Sequence, residues 1–224
     1  MRLTWLADVL RAASLVVVED PGWQTRGKPL VSVQGVVLHH TATPPTALDA
    51  GVVRILRDGR ADLPGPLCQL GLDRSGRWHV IASGKGNHNG NGRWGNQAVG
   101  VEAFNNGVGE PWSRLQLDSY ERGVAAILRH LGLDASHARG HRETDPKRKS
   151  DPKGIDLDAF RERVSHLLNG DDVTEADIEK VAKRVAELLM DPDHLGPVKH
   201  HIAGAADAGS RLARAVRVLE RDEK

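Results

Sequence analysis

Apolar positions change period repeatedly along the chain, and each change marks a predicted element. Leu6, Val9 and Leu10 share one side of a stretch whose other side carries Asp8 and Arg11, which predicts a short helix over 4–14. Leu15–Val18 is a brief, mostly β-branched run stopped by Asp20-Pro21-Gly22. Val31–His39 (VSVQGVVLH) reads as a largely buried strand that enters a loop at Thr41-Ala42-Thr43-Pro44-Pro45. Ala47–Asp58 reads as a helix, and Cys68–Leu72 and Arg77–Ala82 as two strands joined by the turn Asp73–Gly76. Ala98–Phe104 (AVGVEAF) is a further strand. Tyr120, Val124, Ile127, Leu128 and Leu131 recur at helical spacing over 117–131, with Gly132 as the stop. Leu157, Phe160, Val164, Leu167 and Leu168 do the same over 156–168, ended by Asn169-Gly170.

Strands interleaved with helices predict an α/β domain over 1–169, with a central mixed β-sheet flanked by helices. From 170 to 224 no strand signal returns. Ile178, Val181, Val185, Leu188 and Leu189 form one apolar stripe, and Val198, Ile202, Leu212, Val216 and Leu219 a second, diluted by Gly204 and Gly209. One stripe cannot bury itself, so this extension is expected to be a helical tail serving oligomerisation or wall association, with residues 171–224 as the homo-oligomer contact.

Two segments have no period. SGKGNHNGNGRWGNQ (83–97) is dense in glycine and asparagine, and GHRETDPKRKSDPKG (140–154) is too charged for a core and too proline-rich for a helix. Composition narrows what they can do. The 224 residues carry 31 Lys and Arg against 30 Asp and Glu, a net charge of +1 that gives no general attraction to nucleic acid or to an anionic membrane. The single cysteine, Cys68, excludes an intrachain disulfide and a cysteine-rich zinc module. No run approaches a membrane span, and the start does not read as a secretory signal, so a chain made and kept in the cytoplasm is expected.

Histidine placement carries the chemistry. His39 and His40 end a buried strand and point to opposite faces. His88 lies in the Gly/Asn loop, and His137 and His141 flank the start of the charged segment. A zinc site needs deprotonatable donors brought together, and His141 with a nearby aspartate, Asp145 or Asp151, can offer two from one loop. Pro146 and Pro152 would stiffen that loop. His137 and His141 have i, i+4 spacing, but the glutamate of an HExxH site is missing and Gly140 lies between them.

VVLHHTAT, then AVGVEAF, then GHRETDPKRKSDPKG resemble the zinc-dependent N-acetylmuramoyl-L-alanine amidases of type 2, which share a fold with the peptidoglycan recognition proteins and include many phage endolysins. The resemblance covers roughly 20–168, and WLADVLRAASLVVVEDPGWQTRG (5–27) is similar to the lead-in of actinobacteriophage endolysins. By position it implies His39, His141 and Asp151 as ligands of one Zn2+, Glu102 as the acid/base group and Lys149 as a catalytic cation, with Asp145 as a competitor for Asp151. Cys68 falls about where some members place a tyrosine, which leaves it a packing role. His88, Asn89 and Trp94 are expected to meet the substrate through hydrogen bonds and stacking.

The implied activity is hydrolysis of the amide between the lactyl group of N-acetylmuramic acid and L-alanine, with bacterial peptidoglycan as the partner. An endolysin would wait in the host cytoplasm and reach the wall through a separate membrane lesion. A non-catalytic peptidoglycan-binding module on the same fold is the alternative, and filled ligand positions weigh against it. A zinc nuclease, prompted by the Lys147-Arg148-Lys149 run, is opposed by the near-neutral charge.

Overall fold

A computed structural model describes residues 1–170. The chain divides near residue 172 into two units, and the helical, oligomerising tail expected over 170–224 lies outside the described residues. In chain order the elements are α1 (Leu6–Ala12), β1 (Val17–Glu19), β2 (Val36–His40), α2 (Asp49–Asp58), β3 (Gly59–Arg60), β4 (Leu63–Pro64), β5 (Leu70–Leu72), β6 (Trp78–Val80), β7 (Val99–Ala103) and α3 (Arg114–Leu131). A 3-10 turn (Ala135–His137), β8 (Ala138–Gly140), α4 (His141–Thr144) and α5 (Leu157–Asn169) complete the described part.

Six strands form one mixed sheet in the order β1-β6-β5-β7-β2-β8, in which only β5 and β6 pair antiparallel. The central strands β2 and β7 are nearly continuous apolar runs because both faces of the sheet are covered. On one face α1, α3 and α5 bury Leu6, Leu10, Tyr120, Val124, Ile127, Phe160 and Val164 against Val36, Leu38, Val99 and Val101. Full burial of each large apolar side chain contributes about 1.5–3 kcal/mol. The other face carries a smaller cluster of Val52, Leu56, Leu67, Cys68, Ile81 and Phe104 beneath α2. Cys68 is therefore the packing residue expected of it.

Local chemistry sets the boundaries. Ser113 caps α3 by accepting from the Gln116 amide at 3.1 Å, and Asp156 caps α5 by accepting from the Asp158 and Ala159 amides. Gly132 and Gly170 close these two helices in the left-handed conformation. In the β5–β6 turn, Asp73 Oδ1 accepts from the amides of Ser75 and Arg77.

Two expectations need correction. The strand predicted from Val31 begins only at Val36, because Gln97 Oε1 takes the amides of Val31 and Ser32, and Val31 is exposed. The charged segment contains a helical turn after all: α4 forms where Glu143 reaches back to accept from the Gly140 amide at 2.9 Å, and Arg161 holds Glu143 there at 3.0 Å. Among the described residues no helix is long and apolar enough to cross a membrane.

Candidate metal centre and active site

The C-terminal end of β2 delivers His39 to the α2 face of the sheet and His40 to the opposite one. β8, beside β2, ends at Gly140 and passes directly into α4, whose first residue is His141. Gly140 permits the next step. A Cβ there would meet Leu157 Cδ1 at 2.6 Å and Pro152 Cδ at 3.2 Å, so a bare backbone lets the Asp151-Pro152 corner and α5 close over it. Arg142 fixes that corner: its amide donates to Asp151 O at 2.8 Å, and its guanidinium donates to the carbonyls of Pro152 and Ile155.

Three donors then converge. Asp151 Oδ2 lies 3.0 Å from His39 Nδ1 and 3.1 Å from His141 Nδ1, and one donor atom from each residue falls within 4.8 Å of the other two. His39 is 1% exposed and the Asp151 side chain 17%, so the cluster opens to solvent on the carboxylate side. Asp145 does not join it, because Arg148 holds its carboxylate in an i, i+3 ion pair. His137 stands apart as well, its Nδ1 facing Asp134.

The electrostatics fit a bound cation. Burial pushes His39 down to about 4, although the Asp151 carboxylate beside it works the other way, so the ring is neutral near pH 7. Burial works to raise the Asp151 carboxyl, but the His141 and His39 imidazoles that face it outweigh burial and hold the group below the usual carboxylate range. A neutral imidazole and an ionised carboxylate therefore present lone pairs to one point, with a second imidazole beside them. That donor set could hold a divalent metal ion.

Glu102 is the partner of His39 in the β2–β7 register, so both side chains stand on one face at one level. Its Oε2 is buried with no hydrogen-bond partner among the described residues. Burial first, and then the negative charge of Asp151, push its carboxyl from 4.5 up to about 8. The positive charge of Lys149 acts on both Glu102 and His39, which sets this half-exposed side chain beside the cluster.

The Gly/Asn loop departs from the role expected of it. The His88 imidazole is buried and spends both nitrogens inside the protein, on His39 Nε2 at 3.1 Å and on Ala98 O at 3.2 Å. Asn89 is 0% exposed. Its Nδ2 donates to the carbonyls of Arg93 and Gly95, and its Oδ1 accepts from Thr144 Oγ1, each at 2.7 Å. Neither side chain has an atom left for a substrate. Trp94 packs on Gly35, stacks on His137 at 6.3 Å and lies under the Arg139 guanidinium. Gly35 precedes the N-terminal end of β2, about 13 Å from His39 at roughly 3.3 Å per residue. The site residue that sequence reasoning missed is Arg142; its place next to His141 was the available signal.

Comparison with known proteins now has a geometry to meet. Residues 28–154 match the family described as N-acetylmuramoyl-L-alanine amidase. The chain belongs to this amidase family. The match takes in β2, β7, β8 and α4, the elements that bring His39, Glu102, His141 and Asp151 together. Its activity is accordingly that of a peptidoglycan amidase. Solved structures share the fold. The endolysin amidase LysCS from Clostridium intestinale URNW aligns at TM-score 0.54 and 14% identity over 66% of this chain and 94% of that one. The Staphylococcus aureus hydrolase AmiA aligns at 0.55 and 13% over 74% and 90%. The Drosophila peptidoglycan recognition protein SD aligns at 0.50 and 13% over 66% and 94%. No curated protein sequence matches this amidase.

Proposed function

We propose that this amidase is zinc-dependent, with His39, His141 and Asp151 holding one Zn2+ and Glu102 and Lys149 acting on the scissile amide between N-acetylmuramic acid and L-alanine. The observation that carries the reading is the convergence of two imidazole Nδ1 atoms and one carboxylate oxygen beside a glutamate whose buried Oε2 has no partner among the described residues. Zinc held by these three residues would supply Lewis acidity to a hydrolytic reaction. Asp151, reachable from solvent, leaves the substrate a path to the site. Glu102 accepts the proton of the attacking water at Oε2, which no protein group occupies, and returns it to the leaving amine of L-alanine. A carboxyl with a raised pKa holds that proton between the two steps better than an ordinary glutamate. The Lys149 ammonium faces the charge that develops on the carbonyl oxygen.

Two adjoining hollows at the end of β7, of about 570 and 320 Å³, share Gly109, Glu110 and Pro111. They are lined by none of His39, Glu102, His141, Lys149 and Asp151. The second reaches Lys153, two residues after Asp151, whose amide donates to His40 Nδ1. Trp112, also in its wall, is held by a hydrogen bond to the Lys153 carbonyl. The endolysin among the fold relatives, together with the lead-in over 5–27, supports a lytic role: release of host cell wall by a phage-encoded enzyme that reaches peptidoglycan from inside the cell.

Metal analysis of the purified chain, followed by mass spectrometry of digested muropeptides, tests the reading. One zinc per chain, with glycan freed from intact stem peptide, is expected. Reducing sugar ends, or tight wall binding with no cleavage, would refute it.

A further inference from the structure

We propose that His88 is a positioning residue for the metal site: it accepts a hydrogen bond from His39 Nε2–H and thereby selects the tautomer of His39 whose Nδ1 is free to bind the cation. The inference rests on the reading of His39 as a metal ligand.

The chain of reasoning starts at a backbone carbonyl, which can only accept. Ala98 O lies 3.2 Å from His88 Nε2, so that nitrogen carries a proton. No carboxylate touches either nitrogen of His88 among the described residues, and a buried imidazolium without a counter-charge is costly. His88 is therefore neutral and its Nδ1 is an acceptor. His39 Nε2, 3.1 Å away, must be the donor. The remaining nitrogen, His39 Nδ1, is left with its lone pair aimed at the point where Asp151 Oδ2 and His141 Nδ1 also aim. A reversed chain would put a proton on His39 Nδ1 and close the site to a cation.

The fold makes room for this relay. Gly100 stands on the same face of β7 as Glu102, two residues before it, and pairs with Val37 of β2. A Cβ on Gly100 would lie 2.5 Å from His88 Cγ and 2.8 Å from its Nδ1, so the imidazole rests on bare backbone. The two rings meet edge to face, with centroids 5.2 Å apart. His141 has no such arrangement, because its Nε2 is buried without a partner among the described residues. The orientation of the site thus depends on the His39 side. Partners of this kind typically change metal affinity by about 10- to 100-fold when removed.

The test uses the full chain and zinc. His88→Phe, which keeps a planar ring but offers no acceptor, is expected to weaken zinc binding by roughly 10- to 100-fold in competition with a chromophoric chelator. His88→Asn, whose Oδ1 falls near the position of Nδ1, should recover most of that affinity. Gly100→Ala, which leaves His88 itself unchanged, should weaken zinc binding in the same direction. Long-range 1H–15N NMR of wild-type imidazoles should show His39 protonated at Nε2 and His88 bare at Nδ1. A bare His39 Nε2, or zinc affinity within twofold of wild type in a folded His88→Phe, would overturn the proposal. A wild-type chain that took up no zinc would sink the metal reading instead, and the tautomer seen by NMR would then decide the hydrogen bond by itself.

Discussion

Replacing Asn89 by alanine separates two roles for the Gly/Asn loop. The side chain is fully buried and makes three hydrogen bonds of 2.7 Å, to the carbonyls of Arg93 and Gly95 and to the Thr144 hydroxyl. A hydrogen bond contributes about 0.5–1.5 kcal/mol net, and a partner left buried and unsatisfied costs more. Thr144 keeps its bond to His141 O at 3.1 Å, which limits the loss on that side. Asn89→Ala should therefore cost about 2–4 kcal/mol, or roughly 5–15 °C in thermal midpoint for a chain of this size. The assay is reversible urea or thermal unfolding, with Asn91→Ala, an exposed asparagine of the same loop, as the control. An Asn89 that met the substrate would behave differently, raising KM and leaving stability alone. A loss below about 0.5 kcal/mol, or a KM effect at unchanged stability, would refute the structural role.

Glu102→Gln should retain zinc and lower turnover by about 10²-fold or more, measured by muropeptide release at saturating substrate. Asp151→Ala should lose zinc and hydrolysis together, while Asp145→Ala should keep both, because Arg148 alone holds that carboxylate; metal analysis of the two variants separates them. Stability of the metal-free chain should depend on pH through Glu102. Its folded carboxyl is raised from 4.5 to about 8, so the folded chain holds a proton that the unfolded chain releases. Stability should accordingly be intact below about 4.5 and decline as pH rises through about 8. The difference in urea midpoint between wild type and Glu102→Gln should grow over that window, and a constant difference would count against the buried carboxyl.

The three converging side chains were readable from residue types in a pattern, and their surroundings were not. His39 could be placed because a continuous apolar run ends on it, and a strand end is where a buried segment meets a cleft. The ambiguity between Asp145 and Asp151 was local, and so was its resolution. Arg148 stands three residues after Asp145, one helical turn away, while Arg142 captures the carbonyls after Asp151. His88 and Asn89 misled because glycine and asparagine density reads as a solvent-facing loop. What turns these side chains inward is tertiary. Gly100 leaves a slot on β7 for one ring, and Thr144 on α4 offers a hydroxyl to the other residue. β8 was invisible for a different reason: three residues, Ala138-Arg139-Gly140, carry no periodic signal, and only pairing with β2 makes them a strand.

Strand register ties these pieces into one site. β2 and β7 pair in parallel with His39 opposite Glu102, while Val36, Leu38, Val99 and Val101 all face the larger core. A slip of one residue would turn Glu102 into that core against Tyr120 and take Val101 to the cluster instead, so the apolar alternation that stabilises the sheet also fixes where the carboxylate stands. Opposite Glu102 on its other side is Gly71 of β5, which adds no side chain at that level. The half-buried glutamate thus keeps its Oε2 buried without a hydrogen-bond partner among the described residues. Folding tolerates such an orphan only at a cost in stability. A carboxyl kept at that cost, level with three converging donors and with its pKa displaced towards neutrality, has the properties of a group reserved for proton transfer to a molecule that arrives later.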